Sequence, residues 1–233
     1  MSVREALPVK VKPVNTRMSY EKYLSWAGED RFSEWVDGEV ITFMPAKDVH
    51  QSISGFLYHL IRLFIELFHL GQVRYAPFEM RLRKMRASRE PDILFVSSAN
   101  MDRLTPERLD GPADLVIEIV SDDSVQRDRR DKYLEYAEAG VKEYWIIDPR
   151  PQKHRADFYI LNEQGQYELF ATEDDEKVSS AVLTGFWLRP EWLWQAGSLD
   201  PFLAFCEMRG FSLEQANQFK ELFRRGPDQP TST

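Results

Sequence analysis

Apolar residues recur along this chain with two periods, and the switches between them lay out most of its elements. From 49 to 69, Ile53, Phe56, Leu57, Leu60, Ile61, Phe64, Ile65 and Phe68 fall at steps of three and four. That spacing draws one stripe down a helix. Asp48 is placed to cap it, Gln51 stands three residues on as in a capping box, and Gly71 lies just past its end, where a left-handed residue is favoured. Ahead of it, a short helix is expected after Ser19, with Tyr20, Tyr23 and Leu24 on one face. The runs 32–36 and 39–43 then flank Asp37-Gly38, a dipeptide suited to a type I′ hairpin turn.

Further strands are expected at 72–83, 92–97 and 114–120. Pro106, Gly111 and Pro112 make 98–112 a loop. A helix over 127–139 stops at Gly140, and a strand over 142–147 ends at Asp148-Pro149. The order αβββαβ predicts an α/β fold, with a mixed central sheet flanked by helices. Beyond Pro151 come a second hairpin (157–161 and 166–170), a strand-like then Trp-rich stretch over 178–194, and a helix over 212–225. The expected division is a flexible arm at 1–17, one domain over 18–205, a C-terminal helix over 206–225 and a disordered tail at 226–233.

Composition narrows the class. The 233 residues are 43% hydrophobic and 29% charged, an ordinary globular balance. No run of 18 apolar residues is present and the first residues lack the apolar centre of a signal peptide, so no membrane span is expected. Cys206 is the one cysteine, which excludes an intramolecular disulfide and a cysteine metal cluster. Together these point to a cytoplasmic protein. The net charge of -8 argues against a general nucleic-acid coating protein, but not against a nuclease with an acidic centre.

One residue breaks the apolar pattern. Glu118 sits inside Leu115-Val-Ile-Glu-Ile-Val120, where a charge costs several kcal/mol unless it is paired. Asp92 opens the run Ile93-Leu-Phe-Val96, and Lys132 lies near the start of the following helix. Two acids on neighbouring core strands would suit Mg²⁺, or Mn²⁺, which take one or two carboxylates plus water and phosphate oxygens. Lys132 could orient or deprotonate a water, or stabilise charge developing on phosphorus. The plainer alternatives are a turn residue at Asp92, a buried Glu–Lys or Glu–Arg pair at Glu118 and a solvent-facing Lys132.

The stretches Arg31-Phe-Ser-Glu-Trp-Val-Asp-Gly-Glu39, His50-Gln-Ser-Ile53, Glu90-Pro-Asp-Ile-Leu-Phe-Val96, Asp114-Leu-Val-Ile-Glu-Ile-Val-Ser121 and Arg127-Asp-Arg-Arg-Asp-Lys-Tyr133 resemble the Uma family of restriction endonucleases. So do Gly140-Val141, Glu143-Tyr-Trp145 and Asp148-Pro149. That family lies in the PD-(D/E)XK nuclease superfamily. The resemblance covers 18–150 closely and implies a restriction endonuclease-like core, with Asp92 as the central metal-binding acid and Glu118 as the acid of the (D/E)XK element. Val120 stands where the simple pattern has lysine, and Lys132 matches a lysine moved to the next helix. Ser121-Asp-Asp-Ser124 replaces the family's usual Ser-Pro-Ser. Glu34, Glu39 and His50 are candidate auxiliaries. Glu34 reads equally as an exposed strand residue, and His50 as a packed one.

Arg81, Arg83, Lys84, Arg86 and Arg89 precede Asp92, and Arg127, Arg129 and Arg130 precede Lys132, so basic clusters flank the acid pair in sequence. This placement suits tracking of DNA phosphates, although each cluster alone also reads as solvated surface. DNA is the expected partner, and a homodimer is expected because cutting both strands takes two centres. The rivals are a non-catalytic interaction module on the same fold and a metal-free carboxylate-pair hydrolase such as a glycosidase.

Overall fold

A computed structural model describes residues 16–27, 33–42 and 46–225. The arm before Thr16, the tail after Arg225 and the expected strand ends at Phe32 and Phe43 lie outside the described residues. The elements run β1 (Thr16–Arg17), α1 (Tyr20–Ala27), β2 (Ser33–Val36), β3 (Glu39–Thr42), α2 (Asp48–Phe68), β4 (Gly71–Tyr75), β5 (Glu79–Leu82), β6 (Ala87–Arg89) and β7 (Ile93–Ser97). They continue with β8 (Arg108–Asp110), β9 (Leu115–Ile119), α3 (Lys132–Ala139), β10 (Glu143–Asp148), β11 (Arg155–Leu161) and β12 (Tyr167–Thr172). The last are β13 (Val178–Ser179), β14 (Trp187–Leu188), α4 (Glu191–Trp194), α5 (Pro201–Met208) and α6 (Leu213–Arg225).

The central sheet has the order β12-β11-β10-β9-β7-β4. Strands β9 and β10 are parallel, joined through α3, while β4, β7 and β9 pair antiparallel. With α2 ahead, this is the expected αβββαβ core with a mixed sheet. Its central strands β7, β9 and β10 are buried and mostly apolar because both faces are covered. Ile93, Phe95, Ile117, Trp145 and Ile147 pack under α2, and Leu94, Val96, Val116, Tyr144 and Ile146 point the other way. The alternation follows from the two-residue repeat of a strand. It assigns Glu118, in step with Val116, to the face opposite α2.

That second face is covered by α3 and by a second sheet, β1-β3-β2-β6-β5-β8. The 72–83 segment is therefore not one strand. Pro77 offers no amide to a ladder, and the chain leaves the central sheet after β4 to enter the second sheet as β5. The expected loop 98–112 contains a 3-10 turn over Ser98–Arg103 and strand β8. Asp37 and Gly38 both have positive φ (46° and 90°), as a type I′ turn requires.

The helix ends differ from expectation by a residue or two. Lys47, not Asp48, holds the extended cap position of α2, and no side chain caps it. Asp48 is instead an acid in the first turn, where the helix dipole favours it. The left-handed residue at the far end is His69 (φ 55°). Gly71 serves another need: a Cβ there would meet the Val96 carbonyl oxygen at 2.1 Å. Residues 127–131 wind as a π turn before α3 begins at Lys132. Past the Trp-rich stretch, Asp200 caps α5 by accepting from the Phe202 amide at 2.9 Å. The 206–225 segment is thus the end of α5 followed by α6. Ala204 and Met208 of α5 join the core under α2.

Candidate active site

At the end of the central sheet where β7 begins and β9 finishes, a cavity of about 720 Å³ opens between the layers. Its walls include Glu34, His50, Asp92, Glu118, Asp128 and Lys132, together with Glu90 and Arg127. Asp92 reaches it from the turn before β7. Its Oδ2 accepts the backbone amide of Ile119 at 2.7 Å and lies 3.2 Å from His50 Nε2, which comes from the first turn of α2. The Ile119 amide belongs to the residue after Glu118, so the two acids of the sequence pattern meet at adjoining strands.

Glu118 projects from β9 toward α3 and is buried. Its Oε1 accepts from Lys132 Nζ at 2.8 Å and from the Tyr136 hydroxyl at 2.9 Å. Lys132 is as deeply buried. It also meets Glu34 Oε1 at 3.0 Å and Asp128 Oδ1 at 3.6 Å. Glu34 comes from β2 of the second sheet. Its other oxygen accepts from Arg89 Nη1 at 2.8 Å, and Arg89 Nε donates to Glu135 of α3 at 2.6 Å. One buried network thus ties both sheets to α3.

Charge in the cavity is unbalanced. Seven acidic and three basic side chains line it. Glu118 is pushed up to about 8, first by burial and further by Asp128, Asp92 and Glu34, with Lys132 opposing. Burial likewise raises Glu90 to about 8, helped by Glu34 and Glu79. Burial also lifts Asp128. For Lys132, burial works against the charge, but Glu118, Glu34 and Asp128 outweigh it and raise its pKa. It therefore holds its proton more tightly than an ordinary lysine, which suits it to holding a negative group. Glu34, for which burial is the largest influence, is nevertheless held at about 2 by Lys132, Arg89 and Arg127. His50 is raised: burial opposes its charge and Asp92 overrides it.

The oxygen-only pair of Asp92 and Glu118, amid this excess of acid, fits a hard divalent cation. Mg²⁺ accepts one or two protein carboxylates and fills the remaining positions with water and phosphate oxygens. No group of three His, Cys, Asp or Glu side chains converges as a complete cage among the described residues.

Glu34, His50, Asp92, Glu118 and Lys132 are brought together; Glu39 is not. It shares a face of the hairpin with Glu34 but sits at the turn end, where Arg17 of β1 takes its carboxylate at 2.6 Å. The basic set also divides. Arg81 is buried, stacked over Tyr20 at 3.7 Å and donating to the Ala87 carbonyl at 2.7 Å, so it is part of the second sheet's packing and not a phosphate contact. Arg83 pairs with Asp110 and Arg86 with Asp37; with exposed Lys84 they crown the β5–β6 turn, away from the cavity lining. Arg127 lines the cavity and Arg130 is exposed beside it in the chain. Sequence reasoning passed over Asp128 and Glu135, and it placed Arg89 in the basic cluster before Asp92, whereas that residue is buried between Glu34 and Glu135. Asp128 had one legible signal, its place four residues before Lys132 on one helix face.

Comparison with known proteins agrees with this geometry. The crystal structure of a putative nuclease belonging to DUF820 from Anabaena variabilis ATCC 29413 superposes with a TM-score of 0.63 at 18% identity, covering 77% of this chain and 98% of that one. This likeness establishes a common, restriction endonuclease-like fold. No curated protein matches the chain. Residues 20–191 match the profile of the Uma2 family, described as putative restriction endonuclease. That span holds both sheets' principal strands, α2, α3 and every wall of the cavity, and the chain belongs to the Uma2 family.

Proposed function

We propose that this protein is a divalent-metal-dependent DNA endonuclease, cutting phosphodiester bonds at the Asp92–Glu118 cavity. The observation that carries the reading is the Asp92–Glu118 pair facing a buried ammonium, in a cavity whose wall has seven acidic and three basic side chains. Asp92 and Glu118 are the residues that would hold Mg²⁺, or Mn²⁺ in its place. A cation bound there would supply polarisation of the scissile phosphate and a more acidic water.

The protein's own groups do the rest. Ile119's amide and His50 fix the Asp92 carboxylate, and Tyr136 fixes that of Glu118, which keeps the acids in one geometry. Lys132, held charged, stabilises negative charge developing on phosphorus and orients the attacking water. Arg127 and Arg130 lead DNA phosphates toward the cavity. Duplex cleavage needs two such centres, and a homodimer supplies them.

The test is cleavage of plasmid and oligonucleotide DNA with Mg²⁺ or Mn²⁺ by the wild type, Asp92→Ala, Glu118→Ala and Lys132→Ala. The expected result is nicking or cutting by the wild type alone. Equal activity in all four excludes these roles. A folded wild type that binds DNA without cutting it would instead favour a non-catalytic module.

A further inference from the structure

Lys132 is surrounded by carboxylates from three separate segments. Glu118 of β9 lies at 2.8 Å, Glu34 of β2 at 3.0 Å and Asp128 of the π turn at 3.6 Å. All four side chains are at most 4% exposed. A buried ammonium stripped of counter-charge is strongly unfavourable, so Lys132 needs an acid beside it in every state of the site. Its closest partner, Glu118, is also one of the two acids assigned to the cation. Lysine and cation therefore draw on one carboxylate.

Glu34 is built to resolve that conflict. Its Oε2 is pinned by Arg89 at 2.8 Å, and its Oε1 accepts the Glu90 amide at 3.2 Å as well as facing Lys132. Arg89 is itself anchored on Glu135 of α3. The Glu34 carboxylate thus stays in place whatever Glu118 does. Asp128, four residues before Lys132 on the same turn, supports it at longer range.

We propose that Glu34 is a positioning residue: it holds the Lys132 ammonium at the cavity wall while Glu118 engages a divalent cation. The proposal rests on the metal-dependent reading given above. It makes the N-terminal hairpin a working part of the centre, because a strand of the second sheet supplies the counter-charge. A purely structural staple between the second sheet and α3 would affect stability alone. A positioning residue must also affect cation affinity, and must do so through Lys132.

The test is Mn²⁺ titration calorimetry on the full chain, comparing wild type, Glu34→Gln, Lys132→Met and the double variant. Asp123→Asn serves as a charge control, because it removes one acid from the cavity wall without touching Lys132. Glu34→Gln is expected to weaken Mn²⁺ binding by about tenfold, the lower end of what loss of a supporting residue does, since Lys132 then falls back on Glu118. In the Lys132→Met background the same substitution is expected to cost no more than the Asp123→Asn control. Equal weakening in both backgrounds, or none in either, overturns the proposal. If Glu34→Gln does not fold, Glu34→Asp takes its place, with a smaller loss that still vanishes without Lys132. A metal-free readout runs alongside: the Lys132 ammonium resonance in ¹⁵N NMR, identified by its loss in Lys132→Met. Faster proton exchange at that resonance in Glu34→Gln is expected, and an unchanged resonance overturns the positioning role. A wild type that binds no Mn²⁺, together with faster exchange in Glu34→Gln, refutes the cation reading and leaves the hold of Glu34 on Lys132 standing.

Discussion

Replacing Arg89 by Met should be among the most destabilising single changes in this protein. The guanidinium is 4% exposed and bridges two acids, Glu34 at 2.8 Å and Glu135 at 2.6 Å. Methionine fills similar volume, so the loss is electrostatic and not a cavity. Removing one member of a buried ion cluster leaves its partners uncompensated, at a cost of about 3–5 kcal/mol. Glu34 keeps Lys132, which places the expectation toward the lower end. Against a typical total stability of about 5–15 kcal/mol, this is a large fraction. For a chain of this size it lowers the melting midpoint by roughly 6–20 °C. The penalty also carries a pH signature. Glu34 is held at about 2 in the folded protein, below its unfolded value of about 4.3. A depressed acid contributes stability that is fully present above its unfolded pKa and fades as pH falls through its folded one. Arg89 is one of the cations that hold it down, so the variant loses part of that contribution. Urea unfolding at pH 7 and at pH 3 measures both effects. The gap between variant and wild type should be widest at pH 7 and narrow at pH 3. A loss under about 1 kcal/mol at pH 7, or a gap that widens in acid, refutes the argument that Arg89 compensates buried charge.

Three further outcomes follow from the geometry. Glu90 and Glu118 are both raised to about 8, so their folded-state protons make stability fall as pH climbs from about 4.3 through 8; Mn²⁺ should raise the melting midpoint more at pH 8.5 than at pH 6, and an equal or smaller rise at pH 8.5 contradicts this. Lys132→Met should slow single-turnover DNA cleavage by about 10²–10³, the range for loss of one electrostatic stabiliser, while DNA affinity holds; a wild-type rate removes Lys132 from the chemistry. Arg130→Ala should make the log–log salt dependence of DNA binding shallower by about 0.9, whereas Arg81→Ala should lower stability and leave that slope alone; a changed slope in Arg81→Ala would return that residue to the DNA surface.

The residues that could be read in advance are those whose neighbours in sequence are also their neighbours in space. The α2 stripe, the Asp37-Gly38 turn and the apolar runs of β7, β9 and β10 are local patterns, and they appear where expected. Glu118 was conspicuous because its own flanking residues made it costly. The second sheet was not legible, since its strands come from 16–42, 79–89 and 108–110 and find each other only through the tertiary fold. That is why 72–83 looked like one strand, and why Arg81 and Arg83 looked like one exposed face. Arg81 is covered by Tyr20, a residue 61 positions earlier that no local pattern connects to it. The burial of Glu34 is illegible for the same reason: Arg89 and Lys132, which enclose it, lie far along the chain. The π turn before Lys132 leaves no mark in composition, and α5 was obscured because Trp-rich and Phe-rich segments satisfy helix and strand patterns alike.

The hairpin's contribution to the cavity has a consequence for how the chain comes into being. Glu34 leaves the ribosome about 100 residues before Lys132 does, which at synthesis rates of about 5–20 residues per second is an interval of roughly 5–20 s. Throughout that interval β2 has no ammonium to enclose, and Arg89 arrives about halfway through it. The hairpin can form its turn early, but its acid gains nothing by leaving water until α3 exists. The centre of the molecule is therefore closed late in synthesis by a strand made early, and nascent chains stalled between residues 90 and 132 should keep Glu34 hydrated and the second sheet undocked.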